Sequence, residues 1–391
     1  MAVSGTNVNS NIFKQASTIL NAMVQQATGQ AAVAPANVGE YVTVGQQALK
    51  AFGVDGLIGE LSNLIGKTII SVRPYDSQLD FLWVNEMMYA YIVRKIIYGD
   101  KPAVDEDFLN ITDGANHPQQ YARKPDMAQF VYAGQDMWED YYTIFDWQLR
   151  SAVEDASQMT SLVGGMLTNA RSVWAQQRET LARGTLTNFI AGKVQAGNVV
   201  HLLTEYNAFS GVAVADILTD DFANFVRWLY ARIGDLSDMM TNRSQLFHTN
   251  VTGHVVNRHT PREDQRVIIR SKYLRFFDTI VKSTTYHEGY LKLEQMKPIT
   301  FWQSAQSPDN ISLSKYTYLA TDGTLSEGTD YASDKVLGIL YDRDAMGLTV
   351  MSDRIETAPY NAKYSFQTSY RHVLYRFWNS FDENGVVLLL D

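Results

Sequence analysis

One long proline-free stretch, from Asp155 to about Lys193, constrains the fold of this chain more than any other feature. Its apolar residues recur at steps of three and four, which is the period of an α-helix. Asp155 or Ser157 can cap the start of this helix, and Gly192 can end it. Globular helices average about 11–12 residues, so a helix of this length is unusual. We predict a long helix that supports a sheet; a coiled-coil arm or a buried core helix would show the same periodicity.

Composition excludes several classes of function. The 391 residues include no cysteine, which rules out disulfides, thiolate metal sites and a cysteine nucleophile. The net charge is −9, which disfavours tight binding to DNA, RNA or an anionic membrane. The first residues lack the basic and apolar regions of a signal peptide, and no apolar run approaches the ~18 residues that span a bilayer. We therefore expect a soluble, acidic protein made inside the cell, with enough hydrophobic residues for a large core.

The N-terminal region is predicted to be an arm. Residues 10–27 have an amphipathic helical pattern and precede a run of small residues, and a second helical pattern covers 46–65. Short helices on flexible links bury little surface by themselves, so they are suited to lie on another surface. A helical subdomain of the same chain would show the same pattern.

A β-rich, aromatic segment covers residues 68–99, and a long polar stretch follows it. The polar stretch has few apolar residues and is too long for an ordinary connection, which indicates a function or a partner. An acidic triplet, from Asp105 to Asp107, precedes a basic pair, Arg123 and Lys124. We predict an extended hairpin that reaches a neighbouring molecule; a mobile surface loop is the alternative.

The rest of the sequence predicts a mixture of helices and strands. A strong hairpin-turn signal at Asn384–Gly385 leads into an apolar final strand. The segment 304–334 is polar and rich in turn residues, so we expect it to be exposed. The predicted strands cover 128–145, 266–270, 291–302, two short runs around Asp342 to Asp344, Tyr364 to Tyr375, and 386–391. The predicted helices cover 220–241 and 272–281, and the segment 195–218 is predicted to be mixed, with short strands.

No motif of a familiar catalytic or nucleotide-binding site occurs. The sequence lacks a P-loop, a dinucleotide-binding glycine pattern, a nucleophile elbow and a zinc-protease motif. His248, His254 and His259 form the one histidine cluster, and their spacing fits neither a helix face nor a zinc finger. Asp342 and Asp344 could share a strand face and hold a cation, but the arginine between them favours a structural turn. We therefore predict no catalytic residue, no cofactor and no metal site.

Three arginines, Arg262, Arg266 and Arg270, are spaced by four residues. On a helix they would form a stripe suited to nucleic acid, but the β-branched residues between them predict a strand. Because the protein is acidic, we expect these arginines at a subunit interface or a solvated sheet edge rather than on nucleic acid.

Three segments carry distinctive local motifs. Residues 257–273, NRHTPREDQRVIIRSKY, contain a Thr-Pro-x-x-Asp-Gln box at which a strand leads into a helix, and this box resembles that of the major capsid proteins of short-tailed phages. Residues 68–78, TIISVRPYDSQ, resemble the Arg-Pro-Tyr entry to their extended loop. Residues 336–391 resemble their C-terminal block, with an Asp-Arg-Asp turn, an Asn-Ala-Lys step, an aromatic strand and a closing Asn-Gly hairpin. The resemblance covers most of the chain in the same order.

This resemblance implies the Hong Kong 97-like capsid fold, which is of the α+β class. Its parts would be an N-terminal arm (1–67), a strand and extended loop (68–128), a peripheral domain with a long spine helix (129–194), an axial domain (195–345) and return strands of the peripheral domain (346–391). The implied function is a major capsid protein whose copies form hexamers and pentamers of an icosahedral shell around double-stranded DNA. The implied location is the virion, with assembly in the cytoplasm of the bacterial host.

The resemblance also implies partners. The chain would bind copies of itself, a portal protein, a separate scaffolding protein, and decoration or head-fibre proteins. It would contact packaged DNA weakly, and no membrane contact is implied. The residues that we expect at contacts between subunits are Asp105, Glu106, Asp107, Phe108, Tyr121, Arg123, Lys124, Arg262, Arg266 and Arg270. Two other classes fit the same sequence: a genome-free protein compartment of the same fold, and an α+β enzyme without a recognised motif.

Overall fold

The fold is centred on one helix of 40 residues, α1 (Ala156–Gln195), which confirms the long helix predicted from the sequence. The helix ends in a turn at Gly197, whose φ is 77°. Gly192, the predicted end, lies inside the helix. A glycine fits this position because the backbone of Thr317 and the ring of Phe381 leave no room for a Cβ atom. This computed structural model describes residues 78–84, 93–100, 127–132, 136–147, 156–211, 213–214, 221–251, 256–276 and 296–391.

A five-stranded mixed sheet packs against the C-terminal part of α1. Its strand order is β4–β12–β9–β5–β6; β9 is antiparallel to both neighbours, and the two edge pairs are parallel. The strands are β4 (Val199–His201), β5 (Gln265–Arg270), β6 (Met296–Ile299), β9 (Val336–Asp342) and β12 (Gly385–Leu389). Strands β9 and β12 are almost wholly buried, as expected for a sheet that is covered on both faces.

Helices cover the two faces of this sheet. Ile268 of β5 belongs to the same buried cluster as Phe189 and Ile190 of α1. Its neighbours Val267 and Ile269 belong to a second cluster on the opposite face, because successive strand residues point to opposite sides. The helices of that second cluster are α2 (Leu202–Ser210) and α3 (Phe222–Thr241), and a short helix, α4 (Ser271–Phe276), follows β5 directly.

A second sheet, of three antiparallel strands, packs on the middle of α1 in the order β10–β11–β3. Its strands are β3 (Asp136–Phe145), β10 (Met346–Thr357) and β11 (Phe366–Asn379). The Arg371 guanidinium of β11 lies 3.1 Å from the ring centre of Trp174 in α1 and pairs with Asp353 of β10. The Trp174 indole donates a hydrogen bond to Asp140 of β3 at 2.7 Å. These contacts join all three strands to the helix.

Two hairpins complete the described fold. They are β1 (Val93–Tyr98) with β2 (Met127–Tyr132), and β7 (Ile311–Leu319) with β8 (Leu325–Ser333). The second hairpin corrects the prediction that segment 304–334 is rich in turns, whereas its predicted exposure is confirmed, because most of its side chains are exposed or half-buried. Asn188 of α1 accepts a hydrogen bond from the Thr317 amide at 2.9 Å and donates to the Thr317 hydroxyl at 2.8 Å. The strands were missed because their apolar residues are few: Ile311 and Leu319 are buried on one side of β7, whereas β8 is polar.

The structure corrects two further predictions. In the described part of the segment 195–218, strand β4 is followed by helix α2, whose buried Leu202 and Tyr206 have the helical spacing of four residues. Asn384–Gly385 does not close a hairpin, because β11 and β12 lie in different sheets and β12 pairs with β4 and β9. The Asn384 side chain instead donates a hydrogen bond to the Thr260 hydroxyl at 3.1 Å.

The other predicted elements are confirmed where the structure describes them. Helices α3 and α4 and strands β2, β3, β5, β6, β9, β10, β11 and β12 occur in the predicted segments, although β10 is longer than predicted. The predicted helices at 10–27 and 46–65, and the polar loop from 101 to 126, lie outside the described residues. The domain boundaries stay predictions. Strand β12, from the segment predicted to return to the peripheral domain, lies in one sheet with strands of the predicted axial domain.

Candidate assembly surfaces

The β1–β2 hairpin turns one face to the body of the chain and the other to solvent. Ile97 is buried on the inner face, and Phe130 packs there against the core. Four large apolar side chains on the outer face are each at least half exposed: Ile96, Tyr98, Met127 and Val131. Several exposed large apolar side chains on one face, here beside the exposed Gln129, are typical of a contact with another molecule. Because the predicted extended loop connects these two strands, the apolar face lies at the root of that loop.

A cluster of charged side chains holds the inner face of the hairpin. The Lys95 ammonium lies 2.7 Å from an Asp382 oxygen and also contacts Glu383. It donates a third hydrogen bond to the Ser380 hydroxyl at 3.3 Å. Arg258 pairs with the same two carboxylates, at 2.7 Å and 3.3 Å. Strand β1 is thereby attached to the turn that precedes β12.

Lys193 of α1 lies beneath this cluster with a fully buried side chain. Its ammonium donates to the backbone carbonyls of Glu383, Phe381 and Phe247 at 2.7, 3.0 and 3.3 Å. Burial lowers the pKa of Lys193 to about 7, although the Asp382 and Glu383 carboxylates partly oppose that shift. The charge of this buried lysine therefore changes near neutral pH.

A second polar contact fixes the hairpin just beyond β1. Asp100 accepts hydrogen bonds from Arg243 at 2.7 and 2.9 Å and from the Asn257 backbone amide at 2.8 Å. The bond from the Asn257 amide is the largest cause that holds the pKa of Asp100 below its ordinary value. Lys95 and Asp100 thus attach the same limb of the hairpin at two points.

The three-stranded sheet presents an aromatic face on the side opposite α1. Tyr141 meets Tyr370 across β3 and β11, and Phe145 meets Phe366, with ring centres 6.2 and 5.8 Å apart. Tyr364 stacks on Phe366 at 6.4 Å. Tyr141 is 66% exposed and Tyr364 is 61% exposed. Charged side chains share this face, among them the exposed Arg354–Glu356 pair, so the aromatic residues form only part of it. Tyrosine is enriched in protein–protein interfaces.

The three arginines predicted at subunit contacts lie in different surroundings. Arg262 is in the turn before β5, so it does not share the strand face that carries Arg266 and Arg270. Arg270 is 4% exposed; its guanidinium pairs with Asp309 at 2.6 Å and donates to the Ile299 carbonyl at 3.1 Å. The role of these arginines between subunits stays a prediction, and the observed partners of Arg270 are inside its own chain.

Two of the residues weighed as metal ligands, Asp342 and His248, have structural partners, and His259 is exposed. Asp342 accepts the Asp344 amide at 2.9 Å, which makes the Asp-Arg-Asp sequence a capped 3₁₀ turn, as predicted. His248 is buried and hydrogen-bonded to a backbone carbonyl at 2.9 Å, and burial lowers its pKa. His254 lies outside the described residues. Across the described ranges, no group of three or more histidine, aspartate and glutamate side chains is arranged to hold a metal ion.

Sequence reasoning missed the cluster around Lys193. The available signal was a lysine on the apolar face of a long helix, four residues after Phe189 and three after Ile190. A lysine in such a position is almost never buried without a partner or a changed pKa. The remaining predicted contact residues lie outside the described part of the chain; they are Asp105, Glu106, Asp107, Phe108, Tyr121, Arg123 and Lys124.

The fold resembles that of chains in phage structures. A chain from the capsid structure of Staphylococcus phage Andhra matches with a TM-score of 0.54 and 12% identity, over 81% of this chain and 85% of that chain. A chain from the structure of head fiber and inner core protein gp22 of native bacteriophage P68 matches with a TM-score of 0.53 and 8% identity, over 81% and 86%. At such low identity the likeness shows the fold alone, which is the α+β fold of a phage capsid subunit.

The sequence then defines the family within that class. The family model of the Phi29-like phage major capsid protein matches residues 20–389, which is nearly the whole chain. The chain therefore belongs to the Phi29-like phage major capsid protein family, and the resemblance noted from its sequence is confirmed. No curated protein shows a significant match to the sequence. None of the helices in the described part of the chain has the length and apolar character needed to cross a bilayer.

Proposed function

We propose that copies of this chain assemble into the hexamers and pentamers of an icosahedral shell of the Hong Kong 97-like type that encloses packaged double-stranded DNA. The observation that carries the proposal is the apolar outer face of the β1–β2 hairpin, formed by Ile96, Tyr98, Met127 and Val131. The described part of one chain leaves this face uncovered, and a neighbouring copy can bury it. The aromatic face of the three-stranded sheet is a second such surface.

Two different uncovered surfaces favour head-to-tail contacts between copies. A contact that joins unlike surfaces repeats around a ring and closes when the rotation between copies permits. Pentamers and hexamers are rings of this kind. The loop residues from Asp105 to Lys124 would then lie near a neighbouring copy, because the hairpin root that carries them is itself at an interface.

We infer that the shell has further partners. A portal protein, a separate scaffolding protein, and decoration or head-fibre proteins are expected from the family. Contact with packaged DNA is expected to be weak, because a net charge of −9 releases few counterions from the phosphates. Assembly is expected in the cytoplasm of the bacterial host, and the role of the chain is structural rather than catalytic.

Serine substitutions on the outer hairpin face test the proposal. Ile96→Ser and Val131→Ser together should leave the subunit folded, because both side chains are at least half exposed. They should prevent shell formation, because the apolar contact between copies is lost. Leu325→Ser is the matched control, since Leu325 is 66% exposed on the other hairpin. Negative-stain electron microscopy and sedimentation would measure shells against free subunits. Normal shells from the double variant would contradict the proposed contact.

A further inference from the structure

Strand β3 forms one edge of the three-stranded sheet, and no described strand lies on its other side. Just beyond the strand, the Asp146 amide donates to the Ser365 carbonyl at 2.9 Å. In an antiparallel pair, residues that bond to the partner strand alternate with residues whose backbone groups point away from it. The register with β11 is regular, so the even-numbered residues of β3 bond to β11 and the odd-numbered residues point their backbone groups outwards.

Three residues in the middle of β3 therefore present backbone donors and acceptors at an open edge. They are Glu139, Tyr141 and Thr143; the first two are exposed and the third is half-buried. Within the described part of the chain, their amides have no backbone partner. The Met137 amide, by contrast, is bonded to the Asp136 side chain at 2.9 Å, so the open positions begin at Glu139.

An open edge of this kind is a template for another strand, and natural proteins commonly shorten or interrupt such edges. Strand β3 has neither protection: it is ten residues long and contains no proline, glycine or lysine. Other edges in the described chain are protected. Strand β4 has three residues, and β6 has four residues that include Pro298.

Two longer edge strands of the described chain are interrupted. In β10 the register shifts between Val350 and Ser352, and the Leu348 carbonyl already accepts the Val84 amide at 2.8 Å. In β8 the backbone of Asp330 is left-handed, with a φ of 56°, which breaks the regular pairing. Because these edges are protected and the edge of β3 is not, a strand-binding role belongs to β3.

We propose that the open edge of β3 accepts an extended strand from a second copy of this chain, so that the sheet continues from one subunit into the next. This inference rests on the proposed function, because it requires copies to assemble. Main-chain hydrogen bonds supply the affinity of such strand addition. Tyr141 belongs both to this strand and to the aromatic face, so the edge is continuous with a surface already assigned to contacts between copies.

The stoichiometry of a shell favours a second copy as the occupant. Every subunit carries the same edge, and each subunit can also supply one strand, so copies of one chain can cover all the edges. The strand contains three carboxylates, Asp136, Glu139 and Asp140, and no basic residue. Pairing two β3 edges with each other would gather the carboxylates of both copies in one ladder, which is unfavourable. The added strand therefore comes from a different element of the second copy, as a head-to-tail contact requires.

Hydrogen exchange resolved to single amides tests the proposal in the full-length parent protein. It compares the free subunit with purified particles from infected cells. The amides of Glu139, Tyr141 and Thr143 should exchange at least about tenfold more slowly in the particle, because each gains a hydrogen bond. The amides of Asp140 and Tyr142 point towards β11 and are the internal control, since they should be protected in both states.

A matched pair of variants tests the role of one outward amide. Glu139→Pro removes that N–H and keeps the bonds to β11, since edge strands tolerate proline where the N–H faces outwards. Glu139→Ala is the control, because it loses the same side chain and its 3.4 Å contact with His372 but keeps the N–H. Sedimentation should show at least about tenfold fewer shells for Glu139→Pro, and the parent yield for Glu139→Ala.

Closed shells in which the three outward amides exchange as in the free subunit would overturn this inference and leave the proposed function intact. A chain that forms no shells would contradict the proposed function, and this inference with it. Tracing the strand beside β3 in a density map of the particle identifies its chain, and a strand from another phage protein would also overturn the inference. Should Glu139→Pro fail to fold, the exchange measurement on the parent decides the matter.

Discussion

At the scale of single residues, Lys193 and Gly192 show how tightly the end of α1 is packed. The lysine is fully buried among backbone carbonyls, and the absence of a side chain on the neighbouring glycine lets the Thr317 backbone approach the helix closely. Both residues lie where α1 meets the turn before β12 and strand β7. Substitutions at either position therefore test packing and charge at one junction.

The pH dependence of the free energy of unfolding reveals the contribution of Lys193. Its pKa is lowered from 10.5 to about 7 in the folded chain. Between those values the unfolded chain binds one more proton than the folded chain, so the free energy of unfolding contributed by this group rises with pH. The rise is on the order of 1 kcal/mol per pH unit above pH 7. Lys193→Met should lack this rise, while the control Lys315→Met should retain it.

Urea denaturation at pH 7, 8 and 9 would measure that difference. The parent and Lys315→Met should show the same increase in unfolding free energy, and Lys193→Met should show a smaller one. If the unfolding free energies of all three proteins changed equally with pH, the pKa of Lys193 would not be lowered in the folded state.

Two glycines of α1 provide a matched pair. Gly192→Ala would place a Cβ atom 2.6 Å from the Thr317 carbonyl oxygen, so we expect a loss of about 1–3 kcal/mol from overpacking. Gly184→Ala meets nothing within 4 Å and should stabilise the helix by about 0.5–1 kcal/mol. Denaturant unfolding of both variants compares the two effects. A neutral Gly192→Ala would show that α1 and β7 can move apart at no cost.

Among the helices and strands, those with a regular apolar period or a continuous apolar run were predicted correctly. Helices α1 and α3, the buried strand β5 and the final strand β12 each carry a period or an apolar run that specifies them. The β7–β8 hairpin was missed because its burial comes from the neighbouring helix rather than from its own composition. The Asn384–Gly385 turn was misread because strand pairing is a long-range property that a turn signal does not contain.

The candidate site was predicted less completely than the fold. The charge cluster joins Lys95, Lys193, Arg258 and Asp382, which are far apart in the sequence. Nothing in a single sequence pairs residues at such separations. Arg270 shows the opposite error. Its spacing suggested a contact between subunits, but its observed partners are inside its own chain.

Charge reversal in the polar loop tests the predicted contact between subunits. Replacing Arg123 and Lys124 by Glu should leave the melting temperature of the subunit nearly unchanged, since an exposed ion pair contributes only ~0.2–1 kcal/mol. Shell assembly should be impaired, most strongly at low salt, where screening is weak. Making the acidic triplet at 105–107 basic in the same protein should restore part of the assembly.

Light scattering at several ionic strengths would follow that assembly. Assembly of the charge-reversed protein at the parent rate under every condition would exclude an electrostatic role for the loop. The contact would then have to rest on the apolar and aromatic residues Phe108, Leu109 and Tyr121.

In the molecule as a whole, two sheets and a hairpin pack on one long helix, and two of the resulting surfaces have exposed apolar or aromatic side chains in the described chain. Burying them against other copies is worth roughly 25 cal/mol for each Å² of apolar area removed from water. Repeated around a closed shell, modest contacts of this kind add up. In the shell proposed above, the net charge of −9 would keep packaged DNA from binding tightly.

Cryo-electron microscopy of particles from infected cells would show whether this chain builds a shell around a genome. We expect closed icosahedral shells in which hexamers and pentamers of this one chain enclose double-stranded DNA, with the outer face of each β1–β2 hairpin buried against a neighbouring copy. Particles that contain no DNA, or shells in which Ile96, Met127 and Val131 remain exposed to solvent, would contradict it.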